Sequence, residues 1–228
     1  MPSDAKPSPL ERVRLFQSLT PAERSRLEPG LGVRAYRRGE RIYGPGDAAE
    51  AVYAVTQGVV KLSTRSPDER EVILEFVDQG EIFGELAVLD DGPCDHTADA
   101  HEDTVVAVIE RHRLAAAMRD VPELGFQFNR VLAARVKAMR ARVEELLCKS
   151  AQIRMALTLG ALADAHGITD AGGVLIPLRL SQRDIASLAG LSRETVNAVL
   201  QDFRSRDLVE TNGRRLRILH PDGLRALR

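Results

Sequence analysis

Residues 181–201, "SQRDIASLAGLSRETVNAVLQ", constrain the fold more than any other stretch of the chain. Ser181 with Asp184 three residues on is the pattern of a capping box, in which two side chains satisfy two otherwise unpaired helix amides. Gly190 breaks that helix and Ser192 caps a second one. Counted from Gln182, small Ala186 falls fifth, the glycine ninth and Val196 fifteenth, with Ile185, Leu191 and Val199 as apolar contacts between the helices. A small fifth residue lets two helices cross closely, and the glycine permits a tight turn. The pattern therefore predicts a helix-turn-helix rather than any two-helix hairpin.

The second helix opens on Arg193, Glu194, Thr195 and Asn197, and such a helix reads base edges with its N-terminal residues. Arg193 suits bidentate contact with guanine, and Glu194 can accept from a cytosine amino group. Ser181, Gln182 and Ser192, at the two helix starts, complete the candidate set for contact with double-stranded DNA. "LVETNGRRLRILH" follows as two short strands around Asn212-Gly213, a type I′ turn signal. That is a wing, with Arg214 and Arg215 at its tip for phosphate. Charge agrees in sign. From Cys148 onward 12 Lys and Arg stand against 8 Asp and Glu, whereas residues 1–147 carry 20 against 25.

Upstream the pattern changes. Residues 10–28 read as two short helices, the second started by Thr20-Pro21. Residues 31–110 alternate short β-rich runs with glycine turns at Gly39, Gly46, Gly58 and Gly80, which predicts a sandwich or barrel. Residues 111–147 turn helical, and Leu132, Val136, Met139, Val143 and Leu146 make a heptad seam expected to form a parallel homodimer contact. After a break at Cys148-Lys149-Ser150, Ser150 is expected to cap a further helix, and a polar loop with Gly172 and Gly173 leads to the last module. No apolar run approaches the roughly 20 residues of a bilayer span, so no membrane partner is expected. The N-terminus lacks the apolar core of a signal peptide, which makes residues 1–9 a disordered tail and the protein cytoplasmic by expectation. Two cysteines, Cys94 and Cys148, supply neither a disulfide framework nor a four-cysteine metal site. The histidines (His96, His101, His112, His166, His220) are scattered, and no nucleophile–base motif stands out, so no enzyme is expected.

"LSRETVNAVLQDFRSRDLVE" is similar to the winged-helix reader of the CRP/FNR family of bacterial transcription regulators. "GVVKL", the glycines of 39–80 and "GEIFGELAVLDDGP" resemble that family's effector domain, so the resemblance runs from about residue 10 to the end. It implies an α+β fold: a β-roll effector domain (a jelly-roll-like barrel) over 10–119, a dimerisation helix and hinge over 120–148, and a winged helix-turn-helix over 149–228. It implies a homodimer on a pseudo-palindromic TGTGA-like site, with RNA polymerase as a further partner. Arg193 and Glu194 match the family's reading pair, while a second reading arginine found in many members falls on Ala198.

The loop "FGELAVLDDGPCDHTADAHED" is the point of departure. In cyclic-nucleotide-binding members it holds the ligand. Gly84, Glu85 and Leu86 match, but Cys94-Asp95-His96 stands where the family's phosphate-neutralising arginine belongs, and no Arg or Lys occurs between 86 and 110. The family's adenine contacts fall on Met139 and Arg140. A buried phosphodiester without a cation costs several kcal/mol, and Glu85, Asp90, Asp91 and Asp95 add repulsion. The expectation is therefore a regulator with no cofactor and no cyclic AMP switch, acting without ligand or through another effector. Two alternatives stand beside it: activation by a cyclic nucleotide, and haem or redox sensing through Cys94 and His96, a pair that resembles the ligands of the family's carbon-monoxide-sensing haem activator. Otherwise the loop is expected to be exposed, with His96 and His101 on opposite strand faces and no metal site. Asp95 is expected to raise the Cys94 pKa.

Overall fold

A computed structural model describes residues 9–227; residues 1–8 of the expected tail, and Arg228, lie outside the described residues. The chain divides into two compact units between Val136 and Lys137, inside its longest helix.

The first unit opens on two 3-10 turns, Pro9–Arg12 and Arg14–Phe16, before helix α1 (Pro21–Leu27). Only one of the two short helices expected here is thus α-helical. Leu10, Val13 and Phe16 are fully buried and three apart, the period of a 3-10 helix. Thr20 caps α1 as the sequence requires, its hydroxyl accepting from Glu23 N–H while its own N–H donates to the Glu23 carboxylate at 2.7 Å. Strands β1 (Gly32–Tyr36), β2 (Arg41–Tyr43), β3 (Ala51–Gln57), β4 (Val60–Arg65), β5 (Glu71–Val77) and β6 (Ile82–Phe83) follow, then short helix α2 (Glu85–Leu89), β7 (Thr97–Ala100) and β8 (Thr104–Glu110).

These strands form two antiparallel four-stranded sheets, ordered β1-β8-β3-β6 and β2-β7-β4-β5. Val52, Val55, Val60, Ala98 and Val106 from both sheets share one core. The expected barrel is not closed: among the described residues no ladder joins the two sheets, and pairing on one side ends at the two-residue strand β6. Helix α3 (Arg111–Asp120) leads to α4 (Pro122–Cys148). Leu124 and Phe128 bury one face of α4 in the core of the first unit. Along another face, Val136, Met139, Val143 and Leu146 are 50, 69, 51 and 42% exposed, and Leu132 is half-buried.

The second unit continues with α5 (Ala151–His166), capped by Ser150, whose hydroxyl accepts from Ile153 N–H at 3.4 Å. The Gly172-Gly173 segment is a hairpin rather than a loop: β9 (Ile168–Asp170) pairs with β10 (Gly173–Ile176). Helices α6 (Gln182–Ala189) and α7 (Arg193–Ser205), strands β11 (Val209–Asn212) and β12 (Arg215–Ile218), and helix α8 (Pro221–Arg225) complete the chain. The sheet runs β11-β12-β10-β9, over a core that includes Met155, Leu159, Ile176, Leu200 and Phe203.

Candidate functional site

The helix-turn-helix forms by the local chemistry its residues imply. Ser181 Oγ accepts from Asp184 N–H at 3.2 Å, and the Asp184 carboxylate accepts from Ser181 N–H at 2.7 Å. Ser192 Oγ accepts from Thr195 N–H at 3.1 Å. Ile185, Ala186, Val196 and Val199 are buried between the helices, and Leu191 is half-buried. Gly190 takes φ +62° at the turn. Two arginines outside the motif hold that turn. Arg142 of α4 donates to the Leu188 carbonyl, and Arg154 of α5 donates to the Gly190 carbonyl at 3.1 Å. Neither has a signal in the motif's own spacing. Gly190→Ala is expected to cost on the order of 2–3 kcal/mol, because its Cβ meets Leu146 Cδ2 and its backbone stays left-handed. A drop in the urea midpoint of unfolding checks it.

Arg193, Glu194, Ala198 and Gln201 are exposed on α7, and Thr195 and Asn197 are half-buried. Arg193 Nε points to Gln182 Oε1 at 3.5 Å, which joins the starts of α6 and α7 in one polar edge. The Glu194 carboxyl is held below its ordinary pKa by its own backbone N–H, the Ser192 hydroxyl and Arg193. It is therefore an ionised acceptor at neutral pH, as contact with a base amino group requires. The wing departs from the expected turn. Asn212 pairs with Arg215, so Gly213 and Arg214 are the two turn residues. Of these only Gly213 has positive φ, at +62°, which is the type II′ rather than the type I′ pattern. Burial of Val209, Leu216 and Ile218 sets this register, and the local Asn-Gly signal yields to it. Arg214 and Arg215 are both exposed at the tip.

In the first unit, Gly84 (φ +79°) lies against the Tyr53 ring, where a Cβ would come within 3.1 Å of that ring. The next residue, Glu85, is 1% exposed. Its carboxylate accepts from Arg135 Nη1. The same guanidinium donates to the Ile82 carbonyl at 2.7 Å and lies 3.7 Å from the Glu75 carboxylate. Burial raises the Glu75 pKa, and Arg135 offsets part of the rise. Burial works against the Arg135 charge, but Glu85 and Glu75 outweigh it and raise its pKa. This cation comes from α4 and not from the loop, and it is Arg135 rather than Arg140, the position that aligns with an adenine contact. Arg140 is exposed, as are Met139 and Leu86. The available signal was helical phase: Arg135 falls on the face that buries Leu124 and Phe128 and half-buries Val131.

The Cys-Asp-His segment is not an exposed loop. Cys94 and His96 are 6 and 9% exposed, and only Asp95 faces solvent. His96 Nε2 bonds the Tyr43 hydroxyl at 2.9 Å and Nδ1 bonds Asp95 at 2.6 Å. Tyr43 in turn packs on Tyr53 and Phe83, with ring centroids 5.7 and 6.0 Å apart. Burial first, then the neighbouring Cys94 and Glu85, pushes the Tyr43 phenol far above its ordinary pKa. The Cys94 thiol is also pushed up, by burial first and by Asp47 and Asp95 after it. A haem iron does not fit these side chains as they stand: Tyr43 and Asp95 engage both imidazole nitrogens, and the Cys94 thiol is buried in the core of the first unit. His101 instead meets the Phe76 ring edge-on at 4.8 Å. Among the described residues no group of three or more His, Cys, Asp or Glu can hold a metal ion.

Residues 33–120 match the cyclic nucleotide-binding domain family and residues 141–227 match the Crp-like helix-turn-helix domain family. A CRP-like cAMP-activated global transcriptional regulator of Mycobacterium tuberculosis is 31% identical over 205 residues, which cover 90% of this chain and 92% of that protein. The chain belongs to the CRP/FNR family of transcription regulators. A global nitrogen regulator from a Nostoc species is 28% identical over 191 residues, covering 83% of this chain and 86% of its own. The structure of FixK2 from Bradyrhizobium japonicum superposes with a TM-score of 0.75 at 28% identity, covering 86% of this chain and 96% of that one. This CRP/FNR chain is a DNA-binding transcription regulator, and the relatives named above are regulators. No helix of the described residues is long and apolar enough to cross a membrane.

Proposed function

We propose that this CRP/FNR regulator binds a pseudo-palindromic, TGTGA-like duplex site as a homodimer and is not switched by cyclic AMP. In this reading residues 10–119 are the effector-type domain, 120–148 pair two chains, and 149–228 read DNA. Arg193 and Glu194 take base edges; Asn197, Thr195 and the two helix starts flank them, and Arg214 and Arg215 take phosphate. The exposed seam on α4 supports the homodimer, since apolar heptad positions of this kind are covered in a parallel pair. RNA polymerase follows as a partner from the family alone.

The observation that carries the effector reading is the state of the β-roll loop. Asp95 and His96 stand where a phosphate needs a cation, and Arg135 is already engaged by Glu85, Glu75 and the Ile82 carbonyl. An entering phosphodiester would meet one guanidinium shared by two carboxylates, and Asp95 besides. One observation favours the second reading, activation by a cyclic nucleotide. The second Glu85 oxygen is buried without a hydrogen-bond partner among the described residues, and a sugar hydroxyl would satisfy it.

Fluorescence anisotropy on a palindrome of TGTGA and TCACA half-sites, roughly 34 Å apart, separates the two. At fixed salt, tight binding that cyclic AMP leaves unchanged is the expected result. Binding that appears only with cyclic AMP establishes the second reading. Equal affinity for a scrambled duplex overturns the site.

A further inference from the structure

Helix α7 exposes more than its first turn. At about 100° per residue, buried Val196, Val199, Leu200 and Phe203 define one face. Glu194, Ala198 and Gln201 follow one another at steps of four and three residues and lie within roughly 30° of the direction opposite that face. All three are exposed. They form a ridge along the side of α7 that points away from the core, and only its first member has a role in the reading above. The ridge is held rigid, because α7 stays helical to Ser205 while Leu200 and Phe203 bury the turns that carry Ala198 and Gln201.

Gln201 stands roughly 10 Å beyond Glu194 at 1.5 Å of rise per residue, a length of about two to three base pairs at ~3.4 Å each. Among the described residues no hydrogen bond ties its amide to a neighbour. That amide carries a donor and an acceptor side by side. Adenine presents the complement in the major groove, an N7 acceptor beside the N6 amino donor. Guanine shows two acceptors there and leaves the amide oxygen facing one of them. Ala198, in the middle of the ridge, offers a methyl and no polar atom. It cannot bond guanine N7 or O6, and it fits against the C5-methyl of thymine.

We infer that α7 reads sequence along this whole ridge: past the pair selected by Arg193 and Glu194, Ala198 meets a thymine methyl and Gln201 takes an adenine edge. The inference rests on the DNA-binding reading and extends it, since it assigns specificity to two residues beyond the first turn and makes the inner contacts A·T rather than G·C.

The test uses the full chain and a duplex library with both half-sites randomised, for the parent, Gln201→Ala and Ala198→Arg. The parent pool is expected to keep the guanine that depends on Arg193, then a thymine and an adenine on one side of it. In anisotropy, Gln201→Ala should weaken the selected site about tenfold per half-site and lose the adenine preference alone. Replacing that adenine by 7-deazaadenine, which lacks the N7 acceptor, should cost the parent about tenfold and Gln201→Ala nothing. Uracil for the thymine, which removes only the methyl, should weaken the parent, and Ala198→Arg should move that position to guanine. Both substitutions are at exposed positions, so the unfolding midpoint should hold. An adenine preference that survives in Gln201→Ala, or indifference to 7-deazaadenine, overturns the Gln201 contact. A parent pool that keeps the guanine but neither thymine nor adenine overturns the ridge and leaves the DNA reading standing. A pool with no preference at any position overturns both.

Discussion

Replacing Arg193 by alanine lowers affinity for the palindrome by about 1–3 kcal/mol per half-site and removes the preference for one guanine. The side chain is exposed, starts α7, and is steadied by Gln182 at 3.5 Å, so its guanidinium is free to fork onto a base edge. Its removal leaves the helix intact, because Ser192 supplies the cap and Val196, Val199 and Leu200 the packing. Circular dichroism and the unfolding midpoint should therefore be unchanged. Arg214→Ala gives the contrasting profile. It sits exposed at the wing tip and in the proposed docking takes phosphate rather than a base, so its loss weakens all sequences about equally and makes the salt dependence shallower by about one counterion. The pair is read by anisotropy against single-base substitutions at two or more salt concentrations. If Arg193→Ala leaves base preference intact, the docking of α7 in the major groove is wrong.

Replacing Arg135 by alanine destabilises the first unit by about 3–5 kcal/mol. Glu85 is 1% exposed, and without Arg135 its carboxylate has no counterion among the described residues. Glu75 loses the partner that offsets its burial. Leaving a buried carboxylate unpaired costs more than the pair itself contributes, so removing both charges is milder than removing one. The double variant Arg135→Met/Glu85→Gln should recover most of the loss, with a coupling term that a double-mutant cycle isolates. Chemical denaturation measures all four proteins. Arg135→Ala within about 0.5 kcal/mol of the parent would falsify the buried pair as a structural fastener.

Ser181, Asp184, Gly190 and Ser192 act within one or two helical turns of themselves. Caps, a left-handed turn glycine and a small crossing residue are local chemistry, and the chain alone carries them into the helix-turn-helix. The α4 seam was legible for the same reason, since a heptad is a property of one helix. The family could be named from the reader motif and the β-roll stretches together, without a single distance.

What lay beyond the sequence depends on residues far apart in it. Arg135 and Glu85 are 50 positions apart, and no spacing rule pairs a helix cation with a buried loop carboxylate. The loop of Cys94 and His96 is expected to be exposed from its own residues, but Tyr43, in strand β2 and 53 positions away, draws the imidazole inward. The wing's Asn-Gly signal was overruled by the burial of Leu216 and Ile218, since a one-residue slip would turn both to solvent. Among the described residues the sheets stay open because pairing stops at their edge strands, β1 and the two-residue β6 on one sheet and β2 and β5 on the other. Short-range hydrogen bonding and hydrophobic period are written along the chain. Burial, charge pairing and strand register exist only once distant segments have packed.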